Sequence, residues 1–154
     1  MKKIAIYTDS SGGRKIVGLG AVVVIGGSEF PMGTVLRPGC KTTEAEALAL
    51  MYGLDLFRAI APTQKLDPKN TFIVFNSDCS SIVNAINGVV TVRGTARSFV
   101  KNFIEEMIDA VGKEFSGWTI NHIPRNLNKA DRVAKRSRSL WMRRFRPKSS
   151  GPSS

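Results

Sequence analysis

The sequence predicts an α/β fold, and three observations carry that prediction. The first 36 residues read as strands, and the apolar spacing then switches to a helical period over 43–60. Thr71-Phe72-Ile73-Val74-Phe75 is a short, continuously apolar run, the pattern of a strand covered on both faces of a sheet. Four acids, Asp9, Glu46, Asp78 and Asp131, each stand where an expected strand ends or an expected helix begins.

Ile4 to Thr8 reads as the first strand, ending at Asp9, with Ser10-Ser11-Gly12-Gly13 as a turn. Gly18 to Ile25, rich in Val and Gly, is the second. Gly26-Gly27 turns the chain into a third over Glu29 to Leu36, weakened by Pro31. These three predict an antiparallel meander. The helix over 43–60 carries Ala45, Leu48, Ala49, Tyr52, Leu56, Phe57 and Ile60, with Thr43 as N-cap and Pro62 just past its end. Its apolar residues fall on most sides, so burial is expected. A short helix over Ser80 to Asn87 follows the strand at 71–75, and Gly88 to Gly94 connects it to an amphipathic helix over Thr95 to Phe115. That helix places Phe99, Phe103, Met107 and Val111 on one stripe. Trp118 to Ile123 is a fifth strand closed by Pro124, and Asn128 to about Met142 a final helix. The Ser/Gly/Pro-rich stretch Lys148 to Ser154 is expected to be disordered.

At 154 residues the chain is expected to form one domain with a substantial core. No apolar run reaches the roughly 20 residues of a membrane span. The strand pattern starts at once after Met1, so no signal peptide is expected. Cys40 and Cys79 have no metal-ligand spacing, which points to free thiols in a reducing, cytoplasmic compartment. Of the net charge of +11, residues 125–148 supply +9, from 10 Lys/Arg against Asp131 alone. Such asymmetry suggests a nucleic acid or another acidic surface as partner; the plainer alternative is a solvated helix face and a basic tail.

Each acid has an innocent reading. Glu46 fits a capping box with Thr43, Asp78 fits a cap on the helix after it, Asp131 suits the first turn of the last helix, and Asp9 suits the turn beyond it. Together they read differently. A strand–helix–strand crossover favours parallel neighbours, and if the fourth strand returns beside the first, Asp9 and Asp78 meet at a topological switch point. Carboxylates so placed repel one another without cations and bind hard divalent ions with them.

The segments Ile6-Tyr7-Thr8-Asp9-Ser10-Ser11, Thr42 to Leu50, Asn76-Ser77-Asp78-Cys79-Ser80 and His122 to Ala134 resemble ribonuclease H, type 1 and its plant and archaeal forms. The resemblance covers about residues 3–138, and its last segment is the most specific. It implies a ribonuclease H-like fold: a five-stranded mixed sheet, order 3-2-1-4-5, with helices on both faces. It implies a catalytic domain over 1–146, with 147–154 as a disordered tail. It also implies an endoribonuclease that hydrolyses the RNA strand of RNA/DNA hybrids with two Mg²⁺ or Mn²⁺ ions, leaving 3′-hydroxyl and 5′-phosphate ends. Asp9 would bridge both ions, Glu46 and Asp78 would complete the shell and orient water, and Asp131 would hold the second ion. Glu44 is the rival of Glu46.

Departures from the family pattern concern substrate contact. Ser10 replaces a glycine after the first acid. Thr42 and Thr43 stand where paired asparagines are usual, and Asn128 is one residue closer to Asp131 than in the commonest spacing. Gly88 to Gly94 leaves no room for a basic handle loop. We therefore expect Arg132, Lys135, Arg136, Arg138, Arg143 and Arg144 to bind the phosphate backbone, with Ser10, Ser11, Thr42, Thr43 and Asn128 as further nucleic-acid-binding candidates; Arg125 either meets the scissile phosphate or braces its loop. His122 is an auxiliary candidate, packed or surface-bound in the plainer reading. Trp118, Trp141 and Phe145 read as packing residues; a base-stacking platform would need exposed rings beside the basic face. No obligate protein partner is evident and a monomer is expected. Two rivals stay open: a Holliday-junction or double-stranded-RNA nuclease on the same fold, and a non-catalytic hybrid- or RNA-binding module.

Overall fold

The computed structural model describes residues 1–40, 42–88 and 95–145, the side chains of 95–99 excepted. The expected connector beyond Gly88 and the expected tail from 147 therefore lie outside the described residues, as does the Phe99 side chain. Five strands, β1 (Lys2–Gly12), β2 (Val17–Ile25), β3 (Ser28–Leu36), β4 (Thr71–Ser77) and β5 (Gly117–His122), form one sheet in the order β3-β2-β1-β4-β5. The first three are antiparallel, and β4 and β5 join in parallel. Among the described residues four α-helices accompany the sheet: α1 (Thr42–Ile60), α2 (Ser80–Ile86), α3 (Thr95–Glu114) and α4 (Ala130–Phe145). The five-stranded mixed sheet with helices on both faces is the fold expected from the sequence.

The two faces are built differently. On one, Ile4, Ile6, Ala21, Val23, Ile73 and Phe75 pack with Leu50, Leu54 and Phe57 of α1 and with Val100, Ile104, Met107 and Val111 of α3. Each of these side chains larger than alanine, once buried, contributes roughly 1.5–3 kcal/mol. On the other, α4 buries only Ala130 and Ala134, and it reaches the sheet through glycines. In β2 the glycines Gly18 and Gly20 alternate with Leu19 and Ala21, so the small residues face α4 and the larger ones face α1. A Cβ on Gly20 would lie 2.5 Å from the Ala134 amide nitrogen and 2.7 Å from the Ala130 carbonyl oxygen. Both are backbone atoms with nowhere to yield. Gly20→Ala is expected to destabilise the protein by about 1–3 kcal/mol, as overpacking does, read as a lower denaturant midpoint at unchanged m-value.

Most boundaries differ from the sequence expectation by one to three residues, and Thr43, expected as N-cap, lies inside α1; two of the differences have a clear physical reason. β1 does not stop at Asp9: it pairs with β2 as far as Gly12↔Val17, because Ser10 and Ser11 have strand partners in Leu19 and Gly18. What ends before Asp9 is the parallel pairing with β4, whose last pair is Tyr7↔Asn76. The last helix begins at Ala130 rather than Asn128, because the Asn128 side chain accepts the Ala130 amide and holds the chain out of the helix.

Candidate active site

The β1–β4 register places Asp9 and Asp78 alike, each two residues beyond the last parallel pair. Parallel strands whose pairing ends together deliver their next side chains to one spot. The start of α4 lies over the same edge and adds Asp131. One carboxylate oxygen from each of Asp9, Asp78 and Asp131 lies within 4.8 Å of the other two. Glu46 comes from the first turns of α1. It does not reach back to cap its helix; its Oε1 accepts the Ser10 hydroxyl at 2.8 Å, which joins α1 to β1 beside Asp9. Asp9 and Glu46 are each only 4% exposed. Glu44, the rival, is half-buried.

Burial first, then the charges of Glu46 and Asp78 and a shared proton with Asp131, push the Asp9 carboxyl up to about 8. Burial also raises Glu46, against the Ser10 hydroxyl bond that favours its charged form. Asp131 goes the other way: burial pulls it up, but Lys135, Asp9 and Arg125 outweigh that and hold it below its usual value. Lys135 bonds Asp131 Oδ2 at 3.0 Å. Among the described residues Glu46 Oε2 is a buried acceptor without a partner. A crowd of carboxylates, one raised by burial and by its neighbours and one with an idle buried oxygen, is unfavourable as it stands. The donor set, all oxygen, fits hard divalent cations, which would relieve the crowding.

Asn128 differs from its expectation as a nucleic-acid contact. It is buried, and its Nδ2 donates to the Thr8 carbonyl at 3.0 Å and to Asp78 Oδ2 at 3.1 Å. One amide thus ties the end of β1, the acid after β4 and the start of α4. Cys79, not Asp78, is the N-cap residue of α2, so the capping reading of Asp78 does not hold. His122 is exposed, its Nε2 lying 3.2 Å from the Asp78 carbonyl oxygen. Arg125, Thr42, Arg132, Lys135 and Arg136 are exposed, and Ser10, Ser11 and Thr43 half-buried. A groove of about 800 Å³ borders the acids, lined by Tyr7, Leu127 and Lys129 besides Arg125, Asp131 and Arg132. Tyr7, Leu127 and Lys129 lie in segments that carry the resemblance, but the sequence does not single them out as site residues; the fold brings Tyr7 to the other two. Cys40 and Cys79 are free thiols, as expected. Among the described residues no helix is long and apolar enough to cross a membrane.

Solved structures with this fold are numerous. The N-terminal RNase H domain of a Mycobacterium tuberculosis protein, solved as a maltose-binding-protein fusion, superposes with a TM-score of 0.74 at 19% identity, covering 94% of this chain and 99% of that one. RNase H1 of the halophilic archaeon Halobacterium salinarum gives 0.71 at 22%, covering 90% and 98%. LC11-RNase H1, isolated from compost by a metagenomic approach, gives 0.71 at 21% in its complex with an RNA/DNA hybrid, covering 90% and 99%. At such identities these likenesses show the fold. No curated protein sequence gives a significant match. A family model described as reverse transcriptase-like matches residues 10–137, starting one residue after Asp9 and taking in Glu46, Asp78 and Asp131. The match spans most of the chain, and with the sheet order and the acid cluster it places this protein in the reverse transcriptase-like family, on the ribonuclease H fold.

Proposed function

We propose that the protein is an endoribonuclease that hydrolyses the RNA strand of RNA/DNA hybrids, leaving 3′-hydroxyl and 5′-phosphate ends. The observation that carries this reading is the convergence of Asp9, Asp78 and Asp131 at one sheet edge, with buried Glu46 beside them. These four would hold divalent cations, which we read as two Mg²⁺ or Mn²⁺ ions. Bound there, the cations would supply Lewis acidity to the phosphodiester and its attacking water. The chain's own groups do the rest. Ser10 fixes the Glu46 carboxylate, and Asn128 fixes Asp78. Arg125 is exposed near Asp131, where it would meet a phosphate of the bound strand. If His122 donates Nε2–H to the Asp78 carbonyl, its Nδ1 is left to handle a proton at the leaving oxygen. Ser11, Thr42 and Thr43 belong to the segments joined by the Ser10–Glu46 bond, where hydroxyls can meet the 2′-OH groups that mark RNA.

Affinity for the hybrid comes largely from the exposed cations of α4. Arg132→Ala or Arg136→Ala is expected to weaken binding alike for all sequences and to flatten the slope of log Kd against log salt by about one unit, measured by fluorescence anisotropy in chelator. The decisive assay compares end-labelled RNA/DNA, RNA/RNA and DNA/DNA duplexes with Mg²⁺ and Mn²⁺. Cleavage confined to the RNA strand of the hybrid is expected. Cleavage of junctions or of double-stranded RNA instead would give the site to another nuclease reaction, and hybrid binding with no cleavage under any metal would leave a binding module.

A further inference from the structure

The end of α4 forms a second groove, away from the acids. Its walls are the β1–β2 turn, the chain just after β3 and the last turns of α4, and its volume is about 800 Å³. Arg14, Lys15, Arg37 and Arg138 line it with Trp141 and Phe145, and no acid is among its lining residues. Trp141 and Phe145 lie ring to ring at 4.7 Å, and the Arg37 guanidinium sits 5.4 Å from the Trp141 ring centre. Phe145 is 54% exposed. Arg138 Nε is buried with no hydrogen-bond partner among the described residues. From Asp131 to Trp141 along α4 is about 15 Å at the helical rise of roughly 1.5 Å per residue.

The geometry points to a binding site for single-stranded nucleic acid in this groove. It takes one or two unpaired nucleotides that continue from the duplex held at the acids. Four cations without a neighbouring acid complement a phosphate backbone. The exposed Phe145 ring and the half-buried Trp141 ring beside them offer π-faces, and the Arg37 guanidinium over Trp141 offers a third flat surface. Bases inside a duplex are already stacked and cannot use such surfaces; unpaired ones can. Duplex binding alone would account for the arginines but not for Trp141 and Phe145 lying among them. This inference rests on the nucleic-acid reading of the acid site, but its test does not need cleavage.

The probes are a blunt RNA/DNA hybrid, the same hybrid with a six-nucleotide single-stranded extension at each of its four ends, and matching extensions of abasic units. Kd is measured by anisotropy on the full chain in chelator, so no cleavage is read. At least one base-bearing extension is expected to tighten binding on the order of tenfold, with quenching of tryptophan fluorescence, and its abasic counterpart to give clearly less. Phe145→Ala and Arg37→Ala should each remove most of that gain while leaving the blunt-hybrid Kd within about twofold. Equal affinity for all extensions and the blunt hybrid would overturn the proposal and leave the groove to another occupant, such as the chain's own basic end or a protein. A full gain from the abasic extension, or a gain untouched in both variants, would overturn it as well. A protein that fails to cleave hybrids yet shows the Phe145-dependent gain would sink the nuclease reading and keep this one.

Discussion

Asp9→Asn is expected to abolish cleavage, a loss of at least about a thousandfold, and at the same time to make the metal-free protein more stable. The two effects have one cause. Asp9 is buried among Glu46, Asp78 and Asp131, and its carboxyl is pushed from the ordinary 3.8 up to about 8. Between those pH values the folded protein keeps a proton that the unfolded chain has released. The folded state binds more protons, so this group makes stability fall as pH rises from about 4 to about 8, and the penalty is complete above that window. Asn keeps the oxygen that accepts the Ser10 amide at 2.9 Å and removes the charge. In chelator at pH 8 the variant's Tm should therefore exceed that of the parent, by about 2–4 °C for each kcal/mol relieved; near pH 4 the two should converge. Mg²⁺ reverses the order. It should raise the parent's Tm, as any ligand of the folded state does, and leave the variant nearly unmoved. Parent-like turnover by the variant, or a lower Tm in chelator at pH 8, would show that Asp9 is not at the heart of a cation site.

How much of this was legible follows from what each feature depends on. The meander, the buried fourth strand and the helices depend on local period and turn residues, and these are written in the sequence. The convergence of Asp9 and Asp78 needed one further step, the return of β4 beside β1, which the sequence leaves as a condition and the sheet order supplies. The resemblance in four ordered segments added Glu46 and Asp131. Features built by tertiary contact stayed hidden. Gly18 and Gly20 read only as weak strand residues, yet they let α4 come close enough to bring Asp131 over the sheet edge. The Ser10–Ser11 segment reads as a turn, but Leu19 and Gly18 give it strand partners. Trp141 and Phe145 carry no mark of a groove, because Arg14 and Arg37 reach them from the other end of the chain. Asn128 reads as the first residue of the last helix; it stands two residues before that helix, accepts the Ala130 amide from outside it, and makes bonds to Thr8 and Asp78 that span 120 and 50 residues.

Those bonds make Asn128→Ala the second substitution with a large expected effect. Three hydrogen bonds go at once, and the Thr8 carbonyl loses the bond it receives from Asn128 in a buried setting. Net loss of about 1 kcal/mol for each bond, with part of a desolvation penalty for the stranded carbonyl, gives roughly 2–4 kcal/mol. Tm should drop by about 5–15 °C, leaving a protein still folded at room temperature. Asp78 loses its only side-chain donor found among the described residues, so its carboxylate is free to rotate away from Asp9 and Asp131. Loss of a group that orients a cation ligand typically weakens metal affinity or activity 10–100-fold, and that is the effect expected on kcat and on the Mg²⁺ midpoint. KM for the hybrid should hardly change, since Asn128 is buried and its amide is already engaged within the protein. A nucleic-acid contact would show the opposite split, a raised KM at near-normal kcat. Steady-state kinetics on one hybrid, at saturating and at limiting Mg²⁺, therefore tell the two roles apart even though either role would lower activity.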